Sequence, residues 1–170
     1  MKITMHQINQ QQNHLLSVTS EISFDEVVRS VRNLAGLSPI HVDLQLQKVS
    51  DNRVEVTGRL SGEMTLICSR CLKRFPQKFI VELEETFTSA PIDDESDDYA
   101  IEQGELDLTE MLRENLVLAI PFAPVCEEDC KGICAVCGNN RNEQHCTCEQ
   151  EQVDPRFEKL QSLFGGKNQK

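Results

Sequence analysis

The stretch VDLQLQKVSDNRVEVTGRLSGEMTLIC, Val42 to Cys68, decides the fold. Val42, Leu44 and Leu46 alternate with Asp43, Gln45 and Gln47, the period of two that marks a half-buried strand. Ser50, Asp51 and Asn52 supply the turn. Beyond it Val54, Val56, Gly58, Leu60, Gly62, Met64, Leu66 and Cys68 share one face, while Arg53, Glu55, Thr57, Arg59, Glu63 and Thr65 share the other. One long antiparallel strand is predicted, bent or bulged at Gly58 and Gly62. After a turn carrying Cys68 and Cys71, Phe79, Val81, Leu83 and Phe87 alternate again. The result is an α+β fold: an antiparallel β-meander with one buried face, packed by helices.

The flanks supply those helices. Ile3 and Met5 hint at a short edge strand, and Leu16, Val18 and Ile22 at another. Ser23 and Glu26 form a capping-box pattern opening a helix from Phe24 to Ala35, with Gly36 as its stop. Asp107 and Glu110 repeat the pattern for a helix through Ile120, whose inner stripe is Leu108, Met111, Leu112, Leu116 and Ala119. Residues 91–105 hold five acids between Asp93 and Asp98 and little to bury, and are expected as a mobile loop. Asp154 and Pro155 start a short helix bearing Phe157, Leu160 and Phe164. The expected division is a core domain over 1–121, a cysteine-rich segment with this helix over 122–164, and a disordered basic tail over 165–170.

The chain of 170 residues carries a formal net charge of −11 with 26% charged residues, which excludes a protein that coats nucleic acid or anionic membrane through its whole surface. The N-terminus lacks the apolar core of a secretory signal, and the apolar run Leu116 to Val125 is broken by Pro121 and Pro124. A cytoplasmic protein away from the membrane is expected. In a reducing compartment, cysteines serve as metal ligands or redox thiols more often than as disulfides.

Six of the eight cysteines fall in CEEDCKGICAVCGNNRNEQHCTC, Cys126 to Cys148. The CxxC at Cys134 and Cys137 and the CxC at Cys146 and Cys148 suit a zinc ion, which takes four ligands in a tetrahedron. Gly138 lets the backbone curl back after the first pair. The segment has almost no large hydrophobes, so a metal must give it shape. The remaining cysteines make a second site of Cys68, Cys71, Cys126 and Cys130, although Cys71 lacks a following glycine. Cys68 reads equally as a core cysteine, and His145 as a substitute for Cys146 or Cys148. A thioredoxin-like CxxC needs a βαβ setting that alternating strands do not offer.

From Met64 to Ile80 there is no acid, yet Arg70, Lys73, Arg74 and Lys78 occur there. The bland interpretation is a solvated hairpin whose charges discourage edge association. The functional one is a phosphate-contacting turn, which Lys131, Arg141 and Arg156 extend and to which Phe75 adds base stacking. No GxSxG, Walker A, GxGxxG or HExxH is present and the four histidines stand singly, so no enzyme and no small-molecule substrate are expected.

CSRC at 68–71, CKGICAVCGNNRN at 130–142, CTC at 146–148 and DPRFEKLQSL at 154–163 together resemble the YceD-type large ribosomal RNA subunit accumulation proteins, over about Val54 to Leu163. The resemblance implies a bacterial or plastid factor for 23S rRNA accumulation and large-subunit biogenesis, with no established catalysis. By position Cys134, Cys137, Cys146 and Cys148 match the family's cysteine motif, and Asp154, Pro155 and Arg156 its DPR motif. Ala135 and Arg141 stand where proline and leucine are expected, and neither is a ligand. The partner implied is 23S rRNA, a large-subunit ribosomal protein or an assembly factor, docked on a zinc-stabilised basic turn. Alternatives are a redox-responsive zinc chaperone and an adaptor whose acidic loop holds a basic ribosomal protein.

Overall fold

The computed structural model describes residues 1–91 and 96–148. The helix expected at 154–164, the tail and part of the acidic cluster lie outside them. The described chain is mostly strand with few helices. In order these are β1 (Lys2–Thr4), α1 (Met5–Asn9), a 3-10 turn (Gln12–His14), β2 (Leu15–Ile22), α2 (Asp25–Ser30), β3 (Leu34–Leu37), β4 (Ile40–Ser50), β5 (Arg53–Ile67), β6 (Arg74–Thr88), β7 (Tyr99–Glu102), β8 (Glu105–Asp107) and α3 (Leu108–Ala119). They fall into two compact units: Met1–Ser69 with Lys73–Glu128, and Arg70–Leu72 with the chain from Asp129 onward.

The first unit is one sheet in the order β1-β8-β7-β6-β5-β4-β2, with β3 also pairing β5. The alternation of Val42 to Cys68 works out as antiparallel β4–β5 and β5–β6 ladders, the latter running from Arg53 opposite Thr88 to Ile67 opposite Arg74. Beyond β6 the pattern changes, because β7 joins it in parallel at Phe87 and Thr88, and the Phe87 and Tyr99 rings stack at 5.2 Å. One face buries Val42, Leu44, Leu46, Val54, Val56, Leu60, Met64 and Leu66 without exposure. Helix α3 adds Leu108, Met111, Leu112 and Leu116 to the same core, and α1 adds Ile8.

Several elements differ from expectation. The ladders pass Gly58 and Gly62 without a register shift, and the irregularities fall instead between Lys48 and Ser50 and between Leu34 and Gly36. Gly58 is required for another reason: a Cβ there would lie 2.1 Å from the Asp43 carbonyl oxygen of the neighbouring strand. The helix expected from Phe24 to Ala35 is only α2, and Ser23 does not cap it; Phe24 occupies the N-cap without a side-chain bond and is buried. Leu34 to Leu37 form β3, because pairing with Met64 to Leu66 outweighs the modest helix preference of a segment rich in valine.

Thr4 and Gln7 make a capping box that starts α1, where a strand hint was the only expectation. Within the expected loop 91–105, Tyr99–Glu102 and Glu105–Asp107 form a hairpin. Its turn residues Gln103 and Gly104 both have positive φ, which matches the right-handed twist of paired strands. Asp107 caps α3 as expected, its Oδ1 accepting from the Thr109 N–H at 3.0 Å, while Glu110 turns to Arg113. Among the described residues no helix is long and apolar enough to cross a membrane.

Candidate metal centres and the basic turn

The two CxxC sequences fold into the same turn. In the first, the Cys68 N–H donates to the Lys73 carbonyl at 2.9 Å, and in the second the Cys134 N–H donates to the Asn139 carbonyl at 2.8 Å. Each bond spans five residues and closes a loop whose two cysteines face one another. The residue after the second cysteine is left-handed in both, Leu72 at φ 61° and Gly138 at φ 75°. Gly138 was legible as the residue such a turn favours; Leu72 adopts the same conformation at the steric cost of its Cβ. A missing glycine therefore does not disqualify the first turn.

The cysteines gather into two groups, Cys68, Cys71, Cys126 and Cys130, and Cys134, Cys137, Cys146 and Cys148. In each, the four Sγ atoms all lie within 4.8 Å of one another. A tetrahedral ion with sulfur at about 2.3 Å spaces its ligands about 3.8 Å apart, so both donor sets fit a metal after a small contraction. His145 is exposed and belongs to neither group. Donors surround the sulfurs as they do in thiolate sites: the Cys126 N–H points at Cys68 Sγ at 3.5 Å, and Asn142 Nδ2 at Cys130 Sγ at 3.3 Å. Asn142 also accepts from the Lys131 N–H at 2.8 Å, a supporting role that nothing in the sequence signalled.

Burial separates the groups. Cys68, Cys71 and Cys130 are buried and Cys126 half-buried, whereas Cys137 is exposed and Cys146 and Cys148 half-buried beside a buried Cys134. Hydrogen bonding to Cys134 holds the Cys146 thiol above its ordinary range, and bonding to Cys137 pushes Cys148 up to about 12. The neighbouring sulfurs thus disfavour the thiolate form of Cys146 and Cys148, and a divalent cation would reverse that balance because a ligand thiol gives up its proton to it.

The basic residues divide. Arg70, Lys73 and Arg74 are exposed in and just after the first turn, although the Arg70 guanidinium spends Nη1 on the Cys130 carbonyl at 3.1 Å. In the second unit the Ile133 N–H bonds the Arg70 carbonyl and the Arg141 N–H bonds that of Gly132, which joins the backbones of Arg70 and Arg141 to neighbouring residues of one short segment. Lys78 stands apart on β6, directly opposite Glu63, an acid just outside the window that seemed free of them. Phe75 is half-buried and packs against the core on the inward-facing side of β6. Arg156 lies outside the described residues.

A mostly-strand protein that collects its cysteines into two four-sulfur groups is the class this architecture defines. The chain belongs to the family described as Large ribosomal RNA subunit accumulation protein YceD, which matches residues 56–164. It is 28% identical over 167 residues to Uncharacterized protein YlbN of Bacillus subtilis (strain 168), covering 96% of both chains. It is 31% identical over 138 residues to Uncharacterized protein Rv2926c of Mycobacterium tuberculosis, covering 74% of this chain and 62% of that one. Against the chloroplastic Large ribosomal RNA subunit accumulation protein YCED homolog 1 of Arabidopsis thaliana, identity is 23% over 168 residues, with 81% and 52% covered. No solved structure matches significantly.

Proposed function

We propose that the protein is a cytoplasmic, non-enzymatic factor in 23S rRNA accumulation and large-subunit biogenesis, docking rRNA or a large-subunit ribosomal protein through a basic turn held by zinc. Support comes from the family's description and from the geometry of the first turn. The observation that carries the proposal is that Cys68 to Lys73 repeats the cross-turn bond of Cys134 to Asn139 while placing Arg70, Lys73 and Arg74 at the surface. A local cluster of cations in a chain of −11 is what an anionic partner would find.

Cys134, Cys137, Cys146 and Cys148 would hold one ion and Cys68, Cys71, Cys126 and Cys130 another, while Lys131, Arg141 and Arg156 extend the contact. When bound, zinc joins four thiolates into one closed structural centre. The protein's own groups do the rest: backbone N–H groups and Asn142 orient the sulfurs, and the turn fixes where its cations stand.

Charge reversal at Arg70, Lys73 and Arg74 together tests this. Association with rRNA should weaken, and the slope of log affinity against log salt should flatten by about 0.7 to 0.9 for each lost phosphate contact. Unchanged binding and an unchanged slope would remove the turn from the mechanism.

A further inference from the structure

With Phe75 half-buried against the core, the described aromatic side chain that stands fully in solvent is Phe122, exposed at 101%. An exposed phenylalanine at the end of a helix is often a loose end, but here the backbone beneath it is clamped. It sits in Pro121-Phe122-Ala123-Pro124, where two prolines restrict φ. Asn33 Nδ2 donates to the Pro121 carbonyl at 2.6 Å and to the Phe122 carbonyl at 3.4 Å. Asn33 is itself tied to the end of β5, its carbonyl accepting from the Ile67 N–H at 2.9 Å. On the other side the Ser69 N–H donates to the Pro124 carbonyl at 2.7 Å. The ring makes no contribution to the core, yet its backbone is fixed at both ends.

Those same bonds tie its backbone to the residues that lead into the basic turn: through Asn33 to Ile67, which pairs with Arg74, and through Pro124 to Ser69. Ser69 follows Cys68, whose N–H bonds the Lys73 carbonyl, and Arg74 is the next residue. Two residues of chain span at most about 7 Å, so Phe122 stands within that reach of Pro124, the residue bonded to the turn. An exposed aromatic ring on backbone bonded to the residues that lead into the turn, together with exposed Lys73 and Arg74 at the turn's end, supplies the two components of single-stranded nucleic-acid recognition: a platform on which a base stacks and cations for phosphates. The cations of the turn, in a chain of net charge −11, favour an anionic occupant.

We infer that Phe122, Lys73 and Arg74 form a surface for single-stranded RNA, with the ring stacking on an unpaired base and the two cations taking adjacent phosphates. The inference rests on the basic-turn reading above and narrows it to unpaired RNA.

The probe is a single-stranded oligoribonucleotide of about twelve nucleotides with a central 2-aminopurine, compared with its duplex and with isolated large-subunit proteins. The full-length parent protein should prefer the single strand and quench the 2-aminopurine. Phe122→Ala should weaken binding about 5- to 100-fold and abolish the quench, while Phe122→Tyr retains both. Its salt slope should match the parent's, whereas Lys73→Ala and Arg74→Ala should each reduce the slope by about 0.7. The melting temperature of Phe122→Ala should be unchanged, since the ring buries nothing. Parent-like binding and quench in Phe122→Ala, with the slope still lost in the lysine and arginine variants, would overturn the stacking surface and leave the basic turn standing. Absence of RNA binding by the parent would overturn both for RNA. Loss of ribosomal-protein capture in Phe122→Ala, with RNA binding intact, would reassign the ring to a protein groove and overturn the inference.

Discussion

The two units of the molecule are built inside out from one another. In the first, Leu44, Leu46, Leu60, Met64 and Leu66 are shut away from water and the polar residues of the same strands face it. In the second, Leu72, Ile133 and Val136 are exposed at 62%, 42% and 65%, while the buried described positions are Cys71, Cys130, Gly132 and Cys134. Apolar burial holds the first. The second has sulfur in its interior, in cysteine groups that could hold a metal and so supply the order that apolar burial does not.

The largest expected effect separates the two sources. A strong chelator should strip a stabilisation on the order of 10 kcal/mol from the cysteine unit, so amide protection over 130–148 collapses while that of β4, β5 and β6 persists. Full protection of 130–148 in demonstrably metal-free protein would break the comparison. Next in size, Leu44→Ala should cost the sheet about 2 to 5 kcal/mol in denaturant unfolding, because it opens a cavity under a fully buried side chain. Metal content at the second group should not follow it.

The two turns allow a finer test. Leu72→Gly should relieve the left-handed strain and stabilise by up to about 1 kcal/mol, and Gly138→Leu should destabilise by a similar amount although nothing lies within 4 Å of its Cβ position. Metal competition titrations on both variants would show it. Equal responses of the same sign would mean that the two turns are not energetically alike.

The smallest effect belongs to the cap of α3. Partial burial raises the Asp107 carboxyl, but the Thr109 hydrogen bonds outweigh it and hold the group below its ordinary value. The folded pKa is depressed, so its contribution is present above about pH 4 and is lost as pH falls through the folded value. Asp107→Ala should cost about 1 kcal/mol at pH 7 and less at pH 3, as urea unfolding at the two values would show.

Much of this was legible. Alternation from Val42 to Cys68 was strong because each face has a single environment, and cysteine spacing was strong because chelation tolerates few geometries. Leu34 to Leu37 was misleading, since its helical pattern lost to a strand partner thirty residues away in sequence. Leu72 was unreadable because no rule assigns a left-handed conformation to leucine. Phe122 had no legible role: the backbone beneath it is held by Asn33, which carries no local sign of its bond to Pro121, whereas the alternation of β6 accounts for a half-buried Phe75.

By itself, the sequence determined the β4, β5 and β6 ladders, the α3 cap and the gathering of Cys134, Cys137, Cys146 and Cys148, because periodicity, capping and ligand spacing act over a few residues. Tertiary structure alone decided the parallel joining of β7, the pairing of β3 and the clamp on the backbone beneath Phe122. Each of those depends on a hydrogen bond or a strand partner supplied from far along the chain, and such a partner leaves no mark on the residues that receive it.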